Sequence, residues 1–62
     1  NSFFAEAALA MKSGGRLLFA EPAGHVSDTE FQAQLAVAGR AGLDVVDRPS
    51  IRRSHAALLE KS

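Results

Sequence analysis

The sequence contains no cysteine, tryptophan or tyrosine, and its seven basic and seven acidic side chains leave no net charge. Without cysteine there is no disulfide and no thiolate metal site, which are the usual supports of a very small domain. Zero net charge argues against a dedicated nucleic-acid or membrane-surface binder. No apolar run approaches the length that spans a bilayer. We therefore expect neither nucleic acid nor a membrane as a partner.

The first residues also lack features of a targeting segment. The chain opens with Asn1, without an initiator methionine, a cationic stretch or a signal-peptide cleavage site. We therefore expect a cytoplasmic location and a sequence that is a piece of a longer protein. Its 62 residues, 47% of them apolar, are enough for one small domain over 1–62, which could bury only about 60% of its unfolded surface.

What is present begins with a helix pattern. Ser2 is placed to cap a helix over 3–12, whose apolar positions share one face at helical spacing: Phe4, Ala7, Ala8 and Met11. Gly14 and Gly15 end the helix, which is apolar almost all round, so we expect broad cover from a sheet. The unbroken apolar run over 16–21 then predicts a strand buried on both faces.

A second helix has clear start and stop features. Ser27 and Glu30 fit a capping box, and Val26 and Phe31 are spaced for a hydrophobic staple. The buried stripe continues through Leu35 and Ala38, and Gly42 fits the position after the last turn. Strands are predicted over 43–48 and, after a linker with two arginines, over 54–60.

This order predicts an α/β fold: helix, strand, helix, strand, strand. The first two strands are joined by a right-handed crossover and run parallel, whereas the last strand follows a short linker and is expected to be antiparallel. We expect a three-stranded mixed sheet with both helices on one face. The other face and the edge at 16–21 would then be bare. The expected partner is either the missing rest of the sheet or a second copy of the chain.

The stretch from Ala10 to Pro22, AMKSGGRLLFAEP, resembles the segment that enters the fifth strand of class I, Rossmann-like S-adenosylmethionine-dependent methyltransferases. The following GHVS, the helix around Phe31, AGLDVV over 41–46 and the run over 54–59 are similar to the last helix and final strands of that family. Ser13 departs from the family, in which proline is usual. The resemblance covers nearly the whole chain but only the C-terminal third to half of such a domain.

The resemblance implies a partial Rossmann-like layer. In that family the sheet order is 3-2-1-4-5-7-6, so strand 54–60 would lie between 16–21 and 43–48 as the seventh strand. The glycine-rich loop and the acidic residue that make most of the family's cofactor site are absent from this sequence. The implied parent binds S-adenosylmethionine and transfers its methyl group, catalysed mainly by positioning. No cofactor is expected on these 62 residues alone.

Three residues are candidates for the substrate side of that parent. Glu21, Pro22 and His25 follow the carboxyl end of a strand, where open α/β sheets bind ligands. His25 could contact substrate or act as a base. The alternative is that Glu21 and His25 are solvated loop residues and that Pro22 only ends the strand. No catalytic, cofactor-binding or metal-binding residue is assigned within the chain itself.

Other candidates have simpler explanations. His55 has no partner at metal-ligand spacing, so a structural or surface role is expected. Arg48, Arg52 and Arg53 form the one basic cluster, but no aromatic residues interleave with them, and a solvated turn is favoured.

Two hypotheses of function follow. The first is an inactive C-terminal fragment of a methyltransferase that acts on a small molecule. The second is a non-enzymatic α/β module that self-associates or dimerises through its open edge or bare sheet face.

Overall fold

The computed structural model describes residues 2–62, in which two helices pack on a three-stranded sheet. The elements in chain order are α1 (Ser2–Ala10), β1 (Arg16–Pro22), α2 (Asp28–Arg40), β2 (Leu43–Asp47) and β3 (Ser54–Lys61). The predicted order of elements is confirmed. Strand ends differ from the predicted ones by one residue, because β1 and β3 each extend further and β2 ends earlier.

The last strand lies in the centre of the sheet. The order is β1-β3-β2, and β3 is antiparallel to both neighbours. Arg16 lies opposite Glu60 and Pro22 lies opposite Ser54, while a bulge interrupts the register between Val45 and Asp47. The predicted mixed sheet is wrong for these strands. Since β3 separates β1 from β2, which run in the same direction, every adjacent pair is antiparallel.

The first helix is shorter than predicted. It ends at Ala10 rather than at residue 12, although the Met11 amide still donates to the Ala8 carbonyl at 3.3 Å. Gly14 has φ of +85°, a conformation that glycine adopts without a Cβ penalty, and its amide donates to the Lys61 carbonyl at 2.7 Å. Ser2, the predicted cap, is the first helical residue, so the position before the helix falls outside the described residues.

Other elements pack on only one side of α1 and of β1, which corrects two predictions. Phe4 is buried, but Leu9 is 84% exposed, so α1 is not broadly covered. In β1 the exposure alternates: Phe19 is half-buried, whereas Leu18 is 53% exposed. The reason is that both helices lie on one face, so the strand is buried on that face alone.

The second helix begins as predicted. The Ser27 hydroxyl accepts from the Glu30 amide at 3.1 Å, and the Glu30 carboxylate accepts from the Ser27 amide at 3.2 Å. Together these bonds satisfy two backbone donors at the helix start. Gly42 has φ of +93° just after the helix, which a residue with a Cβ adopts poorly.

The core lies between the helices and one face of the sheet. The ring of Phe19 in β1 contacts Phe4 of α1 and Phe31 of α2, with centroids 5.1 and 5.4 Å apart, so both helices share that face. The buried core residues are Phe4, Ala8, Phe31, Leu35, Ala38, Leu43, Ala57 and Leu59. No side-chain nitrogen or oxygen within residues 3–62 is buried without a hydrogen-bond partner.

The opposite side of the sheet carries no helix within the described residues. We call it the outer face; the paired registers place on it Arg16, Leu18, Ala20, Asp44, Ala56, Leu58 and Glu60. Its apolar centre is bordered by a salt bridge between Arg16 and Glu60, with nitrogen and oxygen 3.1 Å apart. The predicted bare face is therefore present in the described part of the chain.

Candidate functional site

An open groove lies where α1, β1 and α2 meet. We call it the aromatic groove; it has a volume of about 330 Å³ and is lined by Phe3, Phe4, Phe19, Glu21 and Gln34. Three of these side chains are phenyl rings, one is a carboxylate and one is an amide. Its volume is at the lower end of the range of small-molecule sites, and the groove is open to solvent.

The groove is shaped by a series of aromatic contacts. Phe4 meets Phe19 edge to face at 5.1 Å, and the Phe3 and Phe19 centroids are 6.5 Å apart. Behind Phe19, the Phe31 ring stacks at 5.4 Å with planes only 8° apart. Such ring pairs contribute about 0.5–1.5 kcal/mol each beyond the area they bury. The wall at Phe19 is therefore held from two sides.

Glu21 is the one predicted substrate-side residue that lines the groove. It lies two residues after Phe19 in β1, so the strand's alternation places both on the helix face. Its side chain is half-buried, and within residues 2–62 it has no hydrogen bond and no ion pair. A carboxylate acceptor is thus available to a ligand in the groove.

Pro22 is the last residue of β1, and His25 lies in the loop that follows the strand. The Pro22 carbonyl accepts from the His25 and Val26 amides, both at 3.1 Å, which folds the loop back towards the start of α2. The Ala23 amide donates to the Arg53 carbonyl at 2.8 Å and ties this loop to the turn before β3. His25 is exposed, and neither it nor Pro22 lines the groove.

His55 lies closer to Glu21 than its position in the sequence suggests. It is opposite Glu21 in the register of β1 and β3, and its ring stacks on Phe31 with centroids 5.4 Å apart. Directly opposed residues of an antiparallel pair share a face with Cβ atoms about 4.5–5.5 Å apart. Glu21 and His55, 34 residues apart in the chain, are thus cross-strand neighbours on the helix face. The strand register is the information that would have identified this pair.

The arginines do not join the groove. An Arg48 guanidinium nitrogen donates to the Gln32 side-chain oxygen at 3.2 Å, and Arg52 and Arg53 are exposed. Arg53 has φ of +58°, in the left-handed region that residues other than glycine occupy infrequently. In the part of the chain that the structure describes, no group of three or more metal-ligating side chains comes together.

The groove can therefore bind a ligand and can accept a hydrogen bond or a proton from it. The rings supply apolar walls, Glu21 supplies an acceptor, and Gln34 supplies both a donor and an acceptor. Cysteine nucleophiles are excluded, because the sequence has none.

Comparisons with family models, curated proteins and solved structures found no match to this chain. Within residues 2–62, neither α1 nor α2 combines the length and the apolar stretch that a membrane span requires. The described chain is a small α/β unit with an aromatic groove that carries one carboxylate.

Proposed function

We propose that the chain is the C-terminal part of a class I S-adenosylmethionine-dependent methyltransferase domain, with a small molecule as the methyl acceptor. The observation that carries the proposal is the position of β3, between β1 and β2 and antiparallel to both. The resemblance implies this arrangement for strands five, seven and six of such a domain. The open outer edge of β1 and the outer face are where further strands and helices of the parent would pack.

The described residues do not fit S-adenosylmethionine themselves. In that family a glycine-rich loop follows a strand and opens a helix, where backbone amides approach the ligand closely. Here the connection from β1 to α2 contains one glycine, Gly24. We therefore derive no chemical step on this chain, and the proposed cofactor site belongs to the rest of the parent. Within that parent, Glu21, Pro22 and His25 border the substrate side.

Calorimetric titration of S-adenosylmethionine into the 62-residue chain tests the proposal that the cofactor site lies outside these residues. We expect no binding heat, because the loop that would hold the cofactor is missing. Binding at micromolar affinity would overturn the proposal that these residues are the part without the cofactor site.

The coding sequence upstream of Asn1 tests whether the chain is part of a methyltransferase domain. A strand, a glycine-rich loop and a helix encoded there, together with micromolar cofactor binding by the longer product, would support the methyltransferase. A gene that starts near Asn1 would contradict it.

The second candidate function is a non-enzymatic interaction module. It is favoured by the outer face, where Leu18 is 53% exposed, and by β1 and β2, each of which pairs on one side alone among the described strands. Exposed apolar surface and unpaired strand edges both promote association. A gene limited to this unit and a stable dimer in solution would favour the module.

A further inference from the structure

The aromatic groove has room for a one-ring ligand. Its volume is about 330 Å³, and a closed cavity of about 150 Å³ is enough to hold benzene. A phenyl ring with a short chain therefore fits, and part of that ligand would stay exposed because the groove is open. The walls from Phe3 and Phe19 supply flat apolar surface for such a ring.

The charge of the lining selects among one-ring ligands. Glu21 is the one ionisable side chain among the lining residues, and it is half-buried with no hydrogen-bond or ion-pair partner in the described chain. An ammonium group in the groove would be attracted to this carboxylate and could donate a hydrogen bond to it. An anionic ligand would instead be repelled.

The rest of the lining also favours a cation with hydrogen-bond donors. Gln34 is partly buried, and its side chain has no hydrogen bond within residues 2–62, so its oxygen is available as an acceptor. The phenyl faces attract cations through the quadrupole of the ring. Acceptors and ring faces therefore converge on the same space from three elements.

We propose that the aromatic groove binds a small arylalkylammonium ion. The ligand's ring packs against Phe3 and Phe19, and its ammonium group donates to the carboxylate of Glu21 and to the side-chain oxygen of Gln34. The site shares Glu21 with the proposed substrate side of the parent, but it lies wholly within the 62 residues and requires no cofactor, so it can be tested on this chain alone.

Titration of the ¹⁵N-labelled chain with phenethylammonium tests the site by NMR. We expect saturable shifts of the amide signals of Phe19, Glu21 and Gln34. The neutral isostere 2-phenylethanol should bind about tenfold more weakly, because it keeps the ring but loses the charge. Phenylacetate should bind more weakly still.

Matched variants separate the charge from the fold. Glu21→Gln keeps the shape of the side chain and should reduce phenethylammonium affinity to that of the alcohol. Glu6→Gln removes an exposed carboxylate of α1 that does not line the groove, and it should leave the affinity unchanged. Phe3→Leu should weaken both ligands, since it removes a ring that each of them contacts.

Several outcomes would overturn the proposal. These are the absence of saturable binding, equal affinity for the ammonium and the alcohol, tighter binding of phenylacetate, and an unchanged affinity in Glu21→Gln. Dispersed amide signals in each variant establish that it is folded. A loss of binding can therefore be told from a loss of structure, and the S-adenosylmethionine titration is unaffected by any of these results.

Discussion

Leu58 and Leu59 are neighbours in β3 that face opposite sides of the sheet. Leu59 is fully buried in the core between the sheet and the helices, whereas Leu58 is partly exposed on the outer face beside Leu18. The same residue type in adjacent positions thus has two different environments. Substitutions at these two positions therefore compare how much the covered face and the outer face contribute to the stability of the chain.

We predict that Leu59→Ala lowers the free energy of unfolding by about 2–5 kcal/mol, because it leaves a cavity in the core. Leu58→Ala should lower the free energy of unfolding by about 1 kcal/mol. The Leu58 side chain is already partly exposed to water, so its truncation loses less buried apolar area. Urea denaturation followed by far-UV circular dichroism measures both. An equal loss in the two variants would mean that the outer face is covered in solution.

Single side chains at the site differ in how well the sequence predicts them. Glu21 was predicted because it ends a strand next to Pro22, and it lines the groove. His55 was assigned a structural or surface role, and its ring does stack on Phe31. Its position opposite Glu21 required the register of β1 against β3, which no local pattern in the sequence specifies.

At the scale of the element, α2 ends with two glycines in different environments. Gly39 lies inside the last turn, and a Cβ added there would meet no atom within 4 Å. Gly42 has φ of +93°, and an added Cβ would make only an ordinary contact, 3.8 Å from the Ser62 hydroxyl oxygen. Space is therefore sufficient at both positions, and the backbone conformation is what distinguishes them.

We predict opposite effects of alanine at these two positions. Gly39→Ala should raise the free energy of unfolding by about 0.5–1 kcal/mol, because alanine favours the helix and restricts the unfolded chain. Gly42→Ala should lower it by about 1 kcal/mol, because the left-handed conformation strains a residue with a Cβ. Thermal unfolding should show midpoint shifts of opposite sign, about 4–8 °C per kcal/mol. Shifts of the same sign would contradict the helix end described here.

The ends of α2 were more predictable than strand burial. The capping box of α2 depends on residues within one turn, so Ser27 and Glu30 are enough to identify it. Burial of β1 depends on what covers each face, which lies elsewhere in the chain. The unbroken apolar run over 16–21 predicts two covered faces, and one of them is exposed.

At the scale of the whole molecule, the outer face sets the expected behaviour in solution. Leu18 is exposed there, and β1 pairs only with β3 among the strands of the described chain. Burial of such a face removes apolar area from water at about 25 cal/mol per Å². The self-association expected from the sequence can therefore be tested by substitutions on this face.

We predict that the 62-residue chain self-associates and that Leu18→Lys weakens the association, because it places a charge in the centre of the outer face. Leu9→Lys is the matched control, since Leu9 is 84% exposed on α1 and lies away from that face. Light scattering over a range of concentrations measures both variants. A monomeric wild-type chain at high concentration, or equal effects of the two lysines, would contradict the prediction.

The sequence by itself determined the order of the elements, the start of α2 and the glycine that follows its last turn, because those features depend on neighbours within a few residues. Tertiary structure alone decided the register of β3 against its two neighbours and the meeting of Phe3, Phe19, Glu21 and Gln34 in one groove. Strand register and face are set by packing between segments that are distant in the chain, and local composition carries little information about either.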